Sequence, residues 1–464
     1  MTTIRSPGRK LGITILVAVL LAIPLLAIYA LVYDRQDQSE TARASVAQGW
    51  GGKQLLAGPV LVIPFTEAST ETVTENGQPR TRTIESRQLL YLSPTRQTLK
   101  TAIDPERRQI SIYESVVYRA VNQGTARFAI PEDLNRYGVD RTKLDFSRAE
   151  LRFGVSDARG LQPDARISAN GQKLAAEPGK GLLATGGSGF FAFVDWQGEG
   201  ALDVSYSYSL NGSGGLSFVP RGGESEWSIT SPWPHPSFAG NFLPATHDIN
   251  ADGFTARYAI SNLALGQAMA GRDDFGAPDT ASGARRGGAG MSGTPVAAGV
   301  TQTASINLVE PVDLYSQVNR AVKYGFLFIG FTFLAFLMFD LVGGAAVAAA
   351  EYLLVGSGLI LFFVLLLAFA EVVGFALAYL VAGGAITGLL TAYSAAVLGS
   401  WKRAQMIAAL LAGLYAVLYV LLSLEALSLL IGSVLLFVAL AAVMWATRRI
   451  DWSGLRTQQE SVAE

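Results

Sequence analysis

The chain has 464 residues, with 36 Lys and Arg against 37 Asp and Glu, two His and no Cys. Charged residues make up 16% of it, against about 25% in ordinary globular proteins, and only six lie between Tyr324 and Thr447: Asp340, Glu351, Glu371, Lys402, Arg403 and Glu425. A net charge of −1 leaves no electrostatic footprint for nucleic acid. The absence of Cys excludes disulfide scaffolds, thiol nucleophiles and Cys-ligated metal sites.

Arg5, Arg9 and Lys10 precede an uncharged run of 22 residues, Leu11–Val32. A helix needs about 20 residues to cross the hydrocarbon core, and a signal-peptide core has only about 7–15. No small-x-small cleavage site follows, since Ala30 has Ile28 two positions before it. Residues 1–33 therefore read as a cytoplasmic N-terminus and an uncleaved anchor, oriented by the basic flank.

Residues 34–320 are expected to form a periplasmic β-rich domain. Asp34–Gln48 is polar and can continue the first helix. Strand patterns follow: Val60–Ile63 between Gly58-Pro59 and Pro64, the alternating Ile110–Tyr118, and Leu202–Leu210 with Leu202, Val204, Tyr206, Tyr208 and Leu210 on one face. Asn211-Gly212 after it is a turn signal. Further strand candidates are Arg82–Tyr91, Glu150–Val155, Phe190–Val194, Gly215–Val219 and Thr255–Ser261. Many short strands between Gly and Pro suggest a sandwich. Residues 265–300 are Gly, Ala, Ser and Thr with scattered charges, which reads as a disordered insertion.

Val309–Lys323 leads back to apolar sequence. Cut at its charges and breaks, residues 321–447 give five helices: Tyr324–Phe339 (or from Ala321), Tyr352–Ala370, Val372–Leu398, Ala404–Leu424 and Leu427–Ala446. With the N-terminus inside, Lys402-Arg403 and Arg448-Arg449 both fall on the cytoplasmic side, as the positive-inside rule requires; Arg320 and Lys323 oppose it. Residues 448–464 are then a cytoplasmic tail. The fold class is a membrane protein, α+β: anchor, all-β outer domain, five-helix block.

Familiar catalytic motifs are missing: no Gly-x-x-x-x-Gly-Lys-Ser/Thr loop, no His-Glu-x-x-His and no Gly-x-Ser-x-Gly. His235 lies in Ser231-Pro-Trp-Pro-His-Pro-Ser-Phe238. With His247 and Asp248 it offers a metal set, although two His are few for zinc, and no metal or cofactor is expected. Trp227, Trp233, Phe238 and Phe242 form either an aromatic platform or ordinary core. Glu371, between two helices, is either a carboxylate on an ion path or a helix-end residue reaching the headgroups. Asp340, at the end of the first helix of the block, has the same two readings. Gly384-x-x-x-Gly388 permits close helix packing.

The whole chain resembles the CreD family of bacterial inner-membrane proteins, also called cell envelope integrity proteins. The resemblance rests on Gly58-Pro-Val-Leu-Val-Ile-Pro-Phe65, on Ser231-Pro-Trp-Pro-His-Pro-Ser-Phe-Ala-Gly-Asn-Phe-Leu-Pro244 and on Glu310-Pro-Val-Asp-Leu-Tyr315. It continues through Lys323-Tyr-Gly-Phe-Leu-Phe-Ile329, Phe331-Thr-Phe-Leu-Ala-Phe336, Tyr352-Leu-Leu-Val-Gly356 and Arg448-Arg-Ile-Asp-Trp452. Two departures stand out. Ala348-Ala-Ala-Glu351 replaces a usual His-Pro pair, and Val372 replaces the His that usually follows Glu371. The resemblance implies a role in envelope maintenance, with colicin, antibiotic and stress tolerance, under a two-component sensor in some bacteria. It implies no defined biochemical activity.

Two functions remain. One is a non-enzymatic envelope protein whose β domain binds an envelope component or a membrane-protein partner while the helices sit in the lipid bilayer. The other is a transporter, or an enzyme on a lipid-linked substrate, working through Glu371 and Asp340.

Overall fold

The computed structural model describes residues 7–75, 78–110, 113–274, 302–309, 314–341, 348–423 and 428–447. The chain divides into two compact units, Met1–Glu40 with Val312–Glu464, and Thr41–Pro311; the sequence reading placed its divisions at 33/34 and 320/321.

Helix α1 spans Pro7–Trp50, so the polar stretch after the apolar run does continue it. Ala, Gln, Arg and Glu dominate Asp34–Gln48, and none of them opposes a helix. Its last residues pack against the β unit: Arg43 Nε donates to the Glu114 carbonyl at 3.2 Å and Trp50 Nε1 to the Tyr118 carbonyl at 3.4 Å. The Arg108 guanidinium lies 3.6 Å from the Trp50 ring centroid.

The strands in chain order are β1 (Gln54–Glu75), β2 (Gln78–Leu92), β3 (Arg96–Ile110), β4 (Tyr113–Phe128), β5 (Glu150–Val155), β6 (Arg166–Ala169), β7 (Gln172–Leu174) and β8 (Glu177–Pro178). They continue as β9 (Gly189–Phe193), β10 (Leu202–Ser213), β11 (Gly215–Val219), β12 (Glu224–Ser231), β13 (Pro236–Gly240), β14 (Thr246–Asn250) and β15 (Gly253–Ser261). A short helix α2 (Asn262–Leu265) precedes β16 (Ala270–Gly271) and β17 (Ala304–Leu308). One sheet has nine strands in the order β13-β17-β11-β1-β5-β9-β8, with β2 paired to β1 and β16 to β2; the other has eight, β14-β15-β12-β3-β4-β10-β6-β7.

The inner faces of the two sheets share one apolar core. Phe153 of β5 meets Tyr206 of β10 at 5.2 Å between ring centroids, and Phe218 of β11 meets Trp227 of β12 at 5.6 Å. The run Val60–Ile63 is continuous because β1 is covered on both faces. Leu61 and Ile63 enter the main core, while Val60 and Val62 join a second cluster with Leu182, Ala184 and Val219. A buried ion pair borders that second cluster. Arg221 donates to Asp274 at 2.9 Å, with the two side chains 0% and 9% exposed, and Asp274 also accepts the Leu183 amide at 2.6 Å.

Four expectations are corrected. Strands β1 to β4 are long, while most of the others are as short as expected: β1 runs through Gly58-Pro59 with a register shift there against β5, and Gly58 takes φ 87° at the bend. Asn211-Gly212 is no turn; both residues pair with Arg119 and Tyr118 inside β10, and the chain turns at Gly214, φ 70°. Ile110–Tyr118 is two strands, with Ile110 of β3 opposite Tyr113 of β4. Residues 266–274 are structured, because β16 pairs with β2, Ser93 donates to the Met269 carbonyl, and Arg272 pairs with Glu67. The rest of the proposed insertion, 275–300, lies outside the described residues.

In the helical unit α3 (Leu314–Lys323) precedes α4 (Gly325–Leu341), α5 (Ala349–Val373), α6 (Phe375–Val397), α7 (Trp401–Ser423) and α8 (Ser428–Thr447). Helix α3, read from sequence as a connection, exists because Tyr315, Val318, Ala321 and Val322 bury one face at helical spacing. Among the described residues, five helical stretches are long and apolar enough to cross a membrane: one within α1, one running through α3 and α4, and α5, α6 and α7. Helix α8 adds 20 residues with no charge. The boundaries of α5 to α8 fall within a few residues of the cuts made at charges and breaks. Phe362, Tyr379 and Tyr415 form the centre, with the Tyr379 hydroxyl donating to the Tyr415 carbonyl at 2.7 Å.

Candidate functional site

Glu371 sits in the last turn of α5, half-buried, and its Oε1 accepts the Tyr315 hydroxyl at 3.2 Å. Tyr315 is buried on α3, which touches α4, α5, α6 and α7. This joins two sequence words, the Tyr that ends Glu310–Tyr315 and the Glu at 371. Asp340 lies in the last turn of α4, but its side chain is outside the described residues, as is all of Glu425. Glu351 closes the start of α5, its Oε2 accepting the Ala348 amide at 2.7 Å. Gly384 and Gly388, which would permit close helix packing, have no neighbour among the described residues within 4 Å of where a Cβ would stand.

The Pro-rich segment ties strands together. Trp233 is buried; its Nε1 donates to the Val309 carbonyl at 3.1 Å, while the Val309 amide donates to the His235 carbonyl at 3.2 Å. Arg107 lies 5.4 Å from the Trp233 ring centroid. The four aromatics make no open platform. Trp227 is fully buried on Tyr258, donating to Thr101 Oγ1 at 3.0 Å, and Phe238 packs on Phe254. His235, His247 and Asp248 are all exposed, and no group of three metal-ligating side chains exists among the described residues.

The feature that sequence reasoning missed is on the outer face of the eight-stranded sheet. Alternation sends Leu99, Val204, Tyr206 and Ile167 inward, so Thr98, Lys100, Ser205, Ser207, Arg166 and Ser168 face outward. Register aligns them across β3, β4, β10, β6 and β7. Thr98 stands opposite Thr125, Thr125 opposite Ser205, Ser205 opposite Ser168 and Ser168 opposite Lys173. The Thr98–Thr125 and Ser168–Ser205 hydroxyls are hydrogen-bonded at 2.7 Å each. The next row sets Lys100 opposite Gln123, Gln123 opposite Ser207 and Ser207 opposite Arg166. Together they line an open groove of about 680 Å³.

The electrostatics of this face are one-sided. Acids near it are paired with arginine: Glu224 with Arg96 at 2.6 Å, Asp203 with Arg127 at 2.7 Å, Glu226 with Arg257 at 2.9 Å and Asp164 with Arg119 at 3.8 Å. The Arg127 hydrogen bonds hold the Asp203 carboxyl below its ordinary pKa. No Asp or Glu lines the groove, and its charges are Lys100, Arg166 and Lys173. Only β10 announced its outward serines through strict alternation. That they meet Lys100 and Lys173 depends on strand pairing.

A likeness to the M1 zinc metallopeptidase of Deinococcus radiodurans, at 11% identity and a TM-score of 0.23, covers 36% of this chain and 38% of that one; it carries no argument. Sequence comparison is of another order. The inner membrane protein CreD of Escherichia coli K12 is 32% identical over 444 residues, 93% of this chain and 91% of the relative. The family model described as inner membrane protein CreD matches residues 6–453, taking in the helices, both sheets and the Tyr315–Glu371 pair. The chain belongs to the CreD family of inner membrane proteins.

Proposed function

We propose that the protein maintains the integrity of the cell envelope without catalysing a reaction, its β-rich domain acting as a binding module in the periplasm and its helices spanning the inner membrane, both termini cytoplasmic. One observation carries this reading: the open surface of the β domain is built of hydroxyls and unmatched cations, while Glu371 and Trp233, two of the groups singled out for chemistry, are engaged in holding the fold. Trp233 and the His235 carbonyl fasten β17, and Glu371 fastens α3 to α5. Stress, colicin and antibiotic tolerance then follow from what the domain holds.

A second reading keeps Glu371 at work within the helices, as part of a transporter or of an enzyme on a lipid-linked substrate. It is favoured by the bond from the buried Tyr315 hydroxyl, an unusual partner to find for a carboxylate among apolar helices. Glu371→Gln separates the two, because the amide oxygen still accepts from Tyr315 while the charge and the exchangeable proton are lost. In a deletion strain that has lost tolerance to detergent and β-lactam, full-length Glu371→Gln is expected to restore it to the parent level at equal membrane abundance. Failure to restore it would replace the first reading by the second.

A further inference from the structure

We propose that the outer face of the eight-stranded sheet binds a linear anionic glycan, a sugar chain bearing phosphate or carboxylate groups. The proposal rests on the reading of the β domain as a binding module and names the class of its ligand.

Charge is the first argument. Glu224, Asp203, Glu226 and Asp164 are matched by arginine and no acid lines the groove, so its field comes from Lys100, Arg166 and Lys173; among the described residues none of the three is ion-paired. Such a surface attracts an anion and repels a cation. Geometry is the second. Thr98, Thr125, Ser205 and Ser168 stand in one row across four strands, and neighbouring strands are about 4.8 Å apart. The row therefore offers hydroxyls at regular intervals along a line, with Lys173 at one end and the Lys100–Arg166 row beside it. Each hydroxyl has both donor and acceptor capacity, which suits sugar hydroxyls, while the cations suit the anionic substituents.

The same observations disfavour other polyanions. An acidic peptide binds sheets by adding a strand at an edge, yet β3, β4, β10 and β6 are interior strands whose backbone groups are already paired, and β7, the edge strand, offers only three residues. An anionic bilayer is flat and is gripped by exposed apolar side chains, whereas this surface is concave and no exposed large apolar residue lines it.

The test uses the full-length protein in detergent and measures binding of a heparin octasaccharide, with neutral dextran, poly-glutamate and phosphatidylglycerol vesicles as comparisons. Tight, salt-sensitive binding of the octasaccharide and at least tenfold weaker binding of dextran are expected. Lys100→Gln/Arg166→Gln/Lys173→Gln is expected to weaken binding roughly 30-fold, about threefold for each exposed contact. The distant Lys143→Gln should leave it unchanged and Arg166→Lys should preserve it. Thr125→Val/Ser205→Ala keeps the charge and should weaken the octasaccharide several-fold. Unchanged binding by the triple variant, equal binding of dextran, or preference for poly-glutamate or vesicles overturns the proposal. Binding is read on purified protein, apart from tolerance in cells. If the triple variant loses binding but restores tolerance, the glycan site stands and the reading that tolerance depends on what the β domain binds fails.

Discussion

Asp274→Ala removes the carboxylate paired with a guanidinium that is fully enclosed. Burial pushes the Arg221 pKa down, and the Asp274 charge works against that shift. At about 4 Å between charge centres and an effective dielectric near 20, the attraction is worth about 4 kcal/mol. Removing one partner of a buried pair costs about 3–5 kcal/mol, because the remaining charge stays in place. The Leu183 amide also loses its acceptor, but Leu183 is 50% exposed and water replaces the bond at little cost. In a unit of this size each kcal/mol shifts the melting temperature by about 2 °C, so a fall of about 6–10 °C is expected. Near-ultraviolet circular dichroism of the full-length protein in detergent, which reads the packed Trp227, Tyr118 and Tyr258, follows the transition. Arg221→Met/Asp274→Leu should regain most of the loss, since apolar replacement of both partners removes the buried charge. An Asp274→Ala melt within 2 °C of the parent would refute the reasoning.

Gly189→Ala should abolish the folded β domain, measured as loss of protease-resistant protein: a Cβ there would stand 1.9 Å from the Phe153 carbonyl oxygen, at φ 148°. Tyr315→Phe should lower the stability of the helical unit by about 1–2 kcal/mol, read by denaturant titration, with Glu371→Gln costing less. Asp157 accepts hydrogen bonds from Arg159 and from the Gly52 amide, which hold its pKa below the ordinary value. Its folded pKa is therefore below the unfolded one, so its stabilisation is complete above about pH 4 and is lost as pH falls through the folded pKa. Asp157→Asn should flatten the acid side of a melting-temperature profile between about pH 2 and 5; an unchanged profile would contradict this.

Helices α5 to α8 were legible because charges and glycines punctuate an apolar run, and β5, β10 and β11 because their inward residues are apolar. Strand β3 was not. Its inward face carries Gln97 and Thr101, and these are tolerated because Gln97 donates to the Gly58 carbonyl while Thr101 bonds Asn122 and Trp227. Residues 266–274 looked too polar to pack, yet Arg272 and Asp274 find opposite charges that are distant in sequence. Glu371 stood out as a rare charge in apolar sequence, but its partner did not, since nothing local links it to Tyr315. The groove was invisible for the same reason: its hydroxyls and cations come from five strands, and only register brings them together.

Strand β17 is the last strand of its unit to be made, and it lies within the sheet, between β13 and β11. Until residues 304–308 arrive, β11 has a bare edge and β13, which joins the sheet through β17, has no strand to pair with. A fragment that stops short of Leu308 leaves both edges bare, and with them the apolar places of Ala304, Ile306 and Leu308 empty. Such edges invite pairing with another chain. Shortened versions of this protein should therefore keep residues up to Val309, whose bonds to Trp233 and His235 latch the last strand in place.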